Sequence, residues 1–290
     1  MSEDTAKDVH YEYDTLVISG GSTKGLLAFG ALQYAIDNHL LKHVTTYVGT
    51  SIGSIISFML AIGYSPTEVM VYICTHQLLE KMKHFNIVAM INGEGASSYA
   101  HIQEQIEKMT IAKIGYLPTL KNIREKFGKT LICITHNFST CKTIELSPDS
   151  HPDLPCLTAI RMSSNLPFIF EKYKYGDHFF VDGGVANNFP IDVGDRVGKK
   201  ILGIVLLGQS EKEENSNPDE GILADIYQLM FTPIKQAMEY RIANASNRCR
   251  IVKLRHPEHK LFNFNISATE KLNMFSNGYN TMRDEFNVRP

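Results

Sequence analysis

The sequence predicts an α/β fold: a mainly parallel central sheet covered by helices, built as one domain over residues 1–290. Three observations predict it. Short β-branched apolar runs alternate with longer stretches of helical period. The runs end in glycine or serine turns, and no linker or internal repeat divides the chain. Hydrophobic residues make up 43% and charged residues 21% of the sequence, ordinary usage for a chain that buries a large core without disulfides or metal.

The elements can be justified in order. "DTLVISGG" is a buried strand ending in a glycine turn, and "KGLLAFGALQYAIDNHL" places Leu26, Leu27, Gly30, Leu32, Tyr34 and Ala35 at helical spacing. "VTTYVGT" is a second strand and "SIGSIISFMLAIG" a second helix ending at Gly63. Strand, helix, strand, helix of these lengths is a βαβα unit, which favours a parallel sheet. Ser65 and Glu68 form a capping box with Pro66 at the first position of a third helix. Residues 86–128 read as helices and connections, with a polar loop at "NGEGASS". "KTLICITHN" and "CKTIELS" are two strands joined by a short turn, and the three prolines between Ser147 and Pro155 demand a loop. "LTAIRMSSNLP" is a short helix leading into paired strand segments in "FIFEKYKYGDHFFVDGG". "KKILGIVLLG" is another buried strand, and the acidic "QSEKEENSNPDEG" a mobile surface loop. A helix over residues 222–245 carries the stripe Leu223, Ile226, Tyr227, Met230, Ile234, Ala237 and Met238, which suits packing on the sheet or docking on a membrane or second subunit. After the strand "RIVKL", Ser267 and Glu270 cap a last helix that runs to about Phe286.

Composition excludes some functions. A net charge of −2 gives no electrostatic footprint for nucleic acid. Cys74, Cys133, Cys141, Cys156 and Cys249 show no zinc or redox spacing and read as free, buried thiols. The N-terminus has no apolar signal core, and the longest apolar runs, Ile55–Ile62 and Ile201–Leu207, are too short to span a bilayer. The sequons at Asn137, Asn244 and Asn265 read as chance, and the expectation is a soluble cytoplasmic protein with reversible membrane contact.

Three stretches could carry chemistry. In "GTSIG", Gly49 and Gly53 relieve crowding around Ser51 at a strand-to-helix turn, the context in which G-x-S-x-G holds a nucleophile. The helix N-terminus there adds free N–H groups that favour an oxyanion. "SGGSTKG" is a second turn one βα unit earlier. It lacks both the dinucleotide fingerprint, since Asp37 falls too early, and the Walker pattern, so a row of oxyanion-binding N–H groups is its better use. In "FFVDGG", Asp182 is either a turn residue or a base. The partner of Ser51 stays open at this level: His256 or His259 would suit a Ser–Asp–His order, whereas His136, His151 and His178 read as loop or turn residues.

Together, "GGSTKG", "GTSIG" and "DGG", with the flank "RMSSNLPFIFEKYKYGDHFFVDGGVANNFPID", resemble the patatin-like phospholipase family over residues 13–210. Residues 210–290 carry no placed motif and read as C-terminal helices completing the domain. The resemblance implies a three-layer sandwich and a Ser–Asp dyad without histidine, with Ser51 the acylated nucleophile and Asp182 the general base. It implies an oxyanion hole from the N–H groups of Gly20, Gly21, Ser22 and Thr23, with Ile52. Gly25, Gly49, Gly53, Gly183 and Gly184 complete the motifs, and Lys24 would anchor the loop or orient a phosphate head group. Where the family has a third loop glycine this chain has Ser22, which puts a side chain beside the site. A free aspartate, with pKa about 3.9, is a weak base, so burial would have to raise it.

The implied function is a lipid acyl hydrolase acting on phospholipids or lysophospholipids at a membrane surface, with no cofactor or metal. Leu166, Pro167, Phe168, Ile169 and Phe170 suit an acyl channel or ordinary core packing equally. The alternatives are an esterase or acyltransferase on the same dyad, or a silent lipid-binding protein.

Overall fold

The protein is represented by a computed structural model that describes residues 12–76, 95–208, 221–256 and 266–287, with backbone alone for 221–228. The acidic stretch 209–220, the continuation of the third helix past residue 76, the start of the 92–98 loop, His259 and Asn265 lie outside the described residues.

Among the described residues eight strands form one sheet: β1 (Thr15–Ile18), β2 (Thr46–Thr50), β3 (Thr130–Asn137), β4 (Lys142–Leu146), β5 (Tyr173–Tyr175), β6 (His178–Asp182), β7 (Ile201–Leu207) and β8 (Cys249–Arg255). Hydrogen bonding runs in the order β5-β6-β3-β2-β1-β7-β8, with β4 also on β3. The five strands β3-β2-β1-β7-β8 pair parallel, as the βαβα pattern predicts. β4, β5 and β6 add antiparallel pairs at one side.

The helices are α1 (Gly25–Asp37), α2 (Ile52–Ala61), α3 (Pro66–Thr75), α4 (Ala100–Ile114), α5 (Leu120–Phe127), α6 (Cys156–Ser163), α7 (Gly184–Asn187), α8 (Ile191–Val197), α9 (Gly221–Ala243) and α10 (Ala268–Asn287). Successive residues of the central strands face opposite layers. Leu16, Ile18, Tyr47, Leu131 and Cys133 join Leu27 of α1, Ile56 of α2 and Met274 of α10 in one core. Val17, Val48, Ile132 and Ile134 join Ile191 and Val193 of α8 and Met238 of α9 in the other. Two helical layers thus enclose the sheet. The stripe on α9 packs inward at Ile234 and Met238, the packing use of the alternatives, while the side chains of Leu223, Ile226 and Tyr227 lie outside the described residues. Both expected capping boxes form: Glu68 N–H donates to Ser65 Oγ at 3.2 Å and Glu270 N–H to Ser267 Oγ at 3.2 Å.

α1 and α10 cross unusually closely. Gly30 lies against the carbonyl of Phe275 and Gly278 against the carbonyl of Leu27, so a side chain at either position would overlap the partner backbone. No single helix among the described residues is long and apolar enough to cross a membrane. The cysteines are free, with Cys133 and Cys156 buried as expected, but Cys141 is exposed in the turn after β3.

One feature of the register positions the site. β4 holds one edge of β3 over Cys133–Asn137, so β2 and β6 must share the other edge. β2 occupies it as far as Thr50 opposite Ile134, and β6 arrives antiparallel with Asp182 opposite Thr135. The end of β2 and the end of β6 therefore meet head to head, bringing Ser51 and Asp182 together across a wide gap in sequence.

Candidate active site

Ser51 occupies the turn between β2 and α2 with φ 56° and ψ −125°, a left-handed conformation that is costly for any residue with a Cβ. The surroundings hold it there. Its N–H donates to Ser163 Oγ at 3.1 Å, and its carbonyl accepts from Ser54 N–H at 2.9 Å and Ser54 Oγ at 2.7 Å. Gly49 packs on the backbone of Gly53, and Gly53 on the carbonyl of Ile18, so neither flank tolerates a side chain. The turn presents the Ser51 hydroxyl at the carboxyl end of the sheet while leaving the residue only 6% exposed.

Asp182 ends β6 at 2% exposure. Gly184 N–H donates to its Oδ1 at 2.6 Å, while Oδ2 is buried without a hydrogen-bond partner. Burial pushes its pKa up to about 6, against the smaller opposing effects of the Ser51 hydroxyl and the Gly184 N–H. The hydroxyl is thus close enough to favour the charged carboxylate yet makes no well-formed hydrogen bond to Oδ2. Such looseness is common before substrate binds. Gly183 packs against the carbonyl of Ile134, which is why a glycine must follow the aspartate.

Two segments clip these turns together, and neither was assigned a role from sequence. At the end of α6, Ser163 Oγ accepts from Ser51 N–H and donates to the Ile134 carbonyl at 2.6 Å, while its carbonyl accepts from Gly183 N–H. The Asn165 carbonyl accepts from Asp182 N–H at 2.9 Å, and its side-chain amide donates to Phe180. Arg161, itself buried, holds Asn165 Oδ1 at 2.7 Å and Glu171 at 2.8 Å and stacks 4.0 Å over Tyr99. On the other side, the Asn187 carbonyl accepts from Thr50 Oγ1 at 2.9 Å and the Asn188 carbonyl from Gly20 N–H at 2.8 Å. "SSN" and "NNFP" were visible in the flank of the third motif; nothing local in them gives the long-range partners.

That last bond corrects one expectation. Gly20 N–H is taken by Asn188 and is not available to an oxyanion. Gly21, Ser22 and Thr23 begin the 3-10 turn Ser22–Lys24 that leads into α1, and their N–H groups have no intrahelical acceptor. Ile52, the first residue of α2, is in the same position. Ser22 has φ 51°, the conformation in which glycine would be at ease, so its hydroxymethyl group replaces the expected glycine at some strain. Gly25 packs on the side chain of Ile52, which brings the two turns together. Lys24 makes no ion pair with a described residue, and burial lowers the pKa of its ammonium.

A model of the patatin-like phospholipase family matches residues 16–195, more than half of the sequence and every element of this site. The chain belongs to that family. A protein of Invertebrate iridescent virus 6 described as a probable lipid hydrolase is 34% identical over 187 residues, 62% of this chain and 63% of that one, so the chain spans less than two thirds of that relative. An uncharacterized protein of Acanthamoeba polyphaga mimivirus is 28% identical over 74% of this chain and 73% of its own. In fold, the patatin-like chain is similar to VipD from Legionella pneumophila, with TM-score 0.52, 12% identity and coverage of 94% of this chain and 66% of VipD. It is also similar to ExoU of Pseudomonas aeruginosa, from the complex with SpcU, with TM-score 0.50, 15% identity and coverage of 94% and 51%.

In this patatin-like protein an apolar cavity of about 130 Å³ opens at Ser51 and runs between α1, α2, α3 and α4 to Met59 and Met109. Leu166 and Phe170 line it as expected of a channel, whereas Ile169 is buried with Tyr99 and Phe168 is 50% exposed. Among the described residues no histidine lines the cavity. His256 follows β8, three strands from β2, about 14 Å away at the usual strand spacing. His178 begins β6 at the end opposite Asp182. A larger groove of about 570 Å³ beside α9 is rimmed by Arg196, Arg241 and Arg248, which pair with Glu145, Asp192 and Asp195. Among the described residues no cluster of His, Cys, Asp or Glu could hold a metal ion.

Proposed function

We propose that the protein is a lipid acyl hydrolase that cleaves fatty-acyl esters of phospholipids or lysophospholipids through a Ser–Asp dyad. One observation carries the reading: a buried carboxylate with a free oxygen, its pKa raised to about 6, beside a strained serine at the head of an apolar cavity. Membership of the patatin-like family supports the same chemistry.

The acyl chain enters the cavity and the ester carbonyl lies over Ser51. Asp182 Oδ2 takes the hydroxyl proton as Ser51 Oγ bonds to the carbonyl carbon. The N–H groups of Gly21, Ser22, Thr23 and Ile52 receive the oxyanion, at the positive ends of two helical turns. Collapse breaks the ester C–O bond, and the departing alcohol takes the proton from Asp182. Asp182 then deprotonates a water that attacks the acyl-enzyme, releasing the fatty acid and restoring Ser51. Burial gives the aspartate enough basicity for this role and still leaves it ionised at neutral pH.

The test uses wild type, Ser51→Ala, Asp182→Asn and His256→Ala with a short-chain ester and a fluorophosphonate probe. The reading expects a labelled, active wild type, two inactive dyad variants and an active His256 variant. Loss of activity in His256→Ala with its fold intact would replace the dyad by a triad. An unlabelled, inactive wild type would favour a lipid-binding protein, and acylated alcohol in place of free fatty acid would mean transfer.

A further inference from the structure

Five aromatic side chains are exposed among the described residues: Phe138, Phe168, Tyr175, Phe179 and Tyr240. All but Tyr240 lie between residues 138 and 179, so the exposure is a local feature rather than a scatter. Phe138 is 63% exposed and sits just past the end of β3, the strand that continues beyond the catalytic end of β2. From Ile134, opposite Thr50, to Phe138 is four residues, roughly 13 Å of extended strand. The β3 end and the β5–β6 ribbon therefore project from the edge of the sheet at which Ser51 stands.

The ribbon stands clear of the body. Residues 174–179 are all exposed, although alternate residues of a strand face opposite sides, so both faces of the ribbon are open to solvent. Its ladder aligns unlike side chains with purpose-like regularity: Lys174 faces Phe179, and Phe179 accepts at its carbonyl from Phe138 N–H at 2.9 Å, giving a row Lys174–Phe179–Phe138 on one face. Tyr175 and His178 pair on the other face. Lys142, Lys172 and Lys174 are exposed here without an ion pair to a described residue; of the nearby acids Glu171 is paired with Arg161 and Glu145 with Arg196, which leaves Asp177. A chain of net charge −2 thus carries a locally basic, aromatic lip.

The lip meets the cavity on the sheet face shared by Tyr175 and His178, through residues 166–173, whereas Phe138 and Phe179 lie on the α8–α9 side of the projecting ribbon. Leu166 and Phe170 line the acyl cavity, Phe168 points out between them with φ 65°, and β5 follows at once. A bulky aromatic in that backbone region is a true outlier. It is held by Ala96 N–H on the Phe168 carbonyl at 2.9 Å and Ser97 N–H on the Ile169 carbonyl at 2.8 Å. Rings with flanking lysines suit the boundary between head groups and acyl chains, where rings enter the apolar side and ammonium groups meet lipid phosphate.

We propose that the lip formed by Phe138, Phe168, Tyr175 and Phe179 with Lys142, Lys172 and Lys174 docks the protein on an anionic bilayer surface, so that lipid passes from the membrane past Phe168 into the cavity. The proposal rests on the lipid hydrolase reading for its purpose, but its test needs no turnover.

Ser51→Ala protein is sedimented with vesicles of phosphatidylcholine alone and of phosphatidylcholine with phosphatidylserine. The expected result is binding that favours the anionic vesicles. Phe138→Ser/Phe179→Ser weakens binding to both, and Lys172→Glu/Lys174→Glu weakens anionic binding by about tenfold or more, whereas Tyr240→Ser changes neither. The same substitutions in the Ser51 protein leave turnover of a soluble short-chain ester unchanged, which shows that they fold. A Ser51→Ala protein that binds neither vesicle, or lip variants that bind as the parent does, would overturn the proposal. Failure of wild type on the soluble ester with vesicle binding intact would overturn the hydrolase reading and leave the docking surface standing.

Discussion

The two turns that meet at the edge of the sheet hold their side chains ready in different ways. At Ser51 the cost is conformational: φ 56° in a residue with a Cβ, imposed by packed glycines and by bonds to Ser54 and Ser163. At Asp182 the backbone is ordinary and the cost is electrostatic, because a carboxylate at 2% exposure has one oxygen without a partner. A strained backbone is indifferent to pH. A desolvated carboxylate is costly only when charged. The comparison teaches that stored strain of the two kinds can be separated by titration.

The largest expected effect is on turnover. Ser51→Ala and Asp182→Asn each lower kcat by about 10³-fold or more in an ester assay. In wild type, kcat/KM falls about tenfold per pH unit below the Asp182 pKa of about 6, because the base must be ionised. A profile flat down to pH about 5 would remove Asp182 from the role.

Next comes the clip between the turns. Ser163→Ala leaves Ser51 N–H without its acceptor, and kcat drops about 10- to 100-fold with KM little changed. Unchanged kcat in a folded variant would mean that the turn is positioned by α2 alone.

Stability then separates the two costs. The folded pKa of Asp182 is raised, so its contribution favours folding below the unfolded pKa of about 3.9 and is lost as pH rises through about 6. Asp182→Asn therefore stabilises the protein by on the order of 2–3 kcal/mol above that window and by almost nothing below pH about 4, read from urea unfolding at both pH values. Ser51→Gly stabilises by about 1 kcal/mol, and does so already at pH about 4, where Asp182 is neutral. The smallest change is Ser22→Gly, a few tenths of a kcal/mol from relief at φ 51°, since glycine loses more entropy on folding. Equal pH dependence for the Ser51 and Asp182 variants would erase the distinction.

Local chemistry made much of this legible in the sequence. Strand-to-helix turns around Gly20 and Ser51 and the Asp-Gly-Gly turn are short-range patterns, and capping boxes at Ser65 and Ser267 are decided within four residues. Partners distant in sequence were not legible. The resemblance of the glycine loop implies that Gly20 N–H serves an oxyanion; the competitor for it is the carbonyl of Asn188, 168 residues away. Ser163 and Asn165 looked like polar residues at the end of a helix, and only the shared edge of β3 gives them both turns to hold. Phe168 sat in an apolar run that suits a channel, yet the pinning of residues 96 and 97 turns its ring outward.

The close crossing of α1 and α10 reaches into the order of assembly. α1 grows directly from the turn that carries Gly21, Ser22 and Thr23, and its outer face is covered by a helix from the far end of the described chain. On the ribosome, where the N-terminal part emerges first, Ser51 and Asp182 are both made long before Gly278. The helix behind the oxyanion turn therefore gains its cover after both dyad residues have been made. Truncation ahead of α10 thus uncovers the helix that carries the oxyanion turn, and weaker fluorophosphonate labelling of Ser51 in the truncated protein would report it.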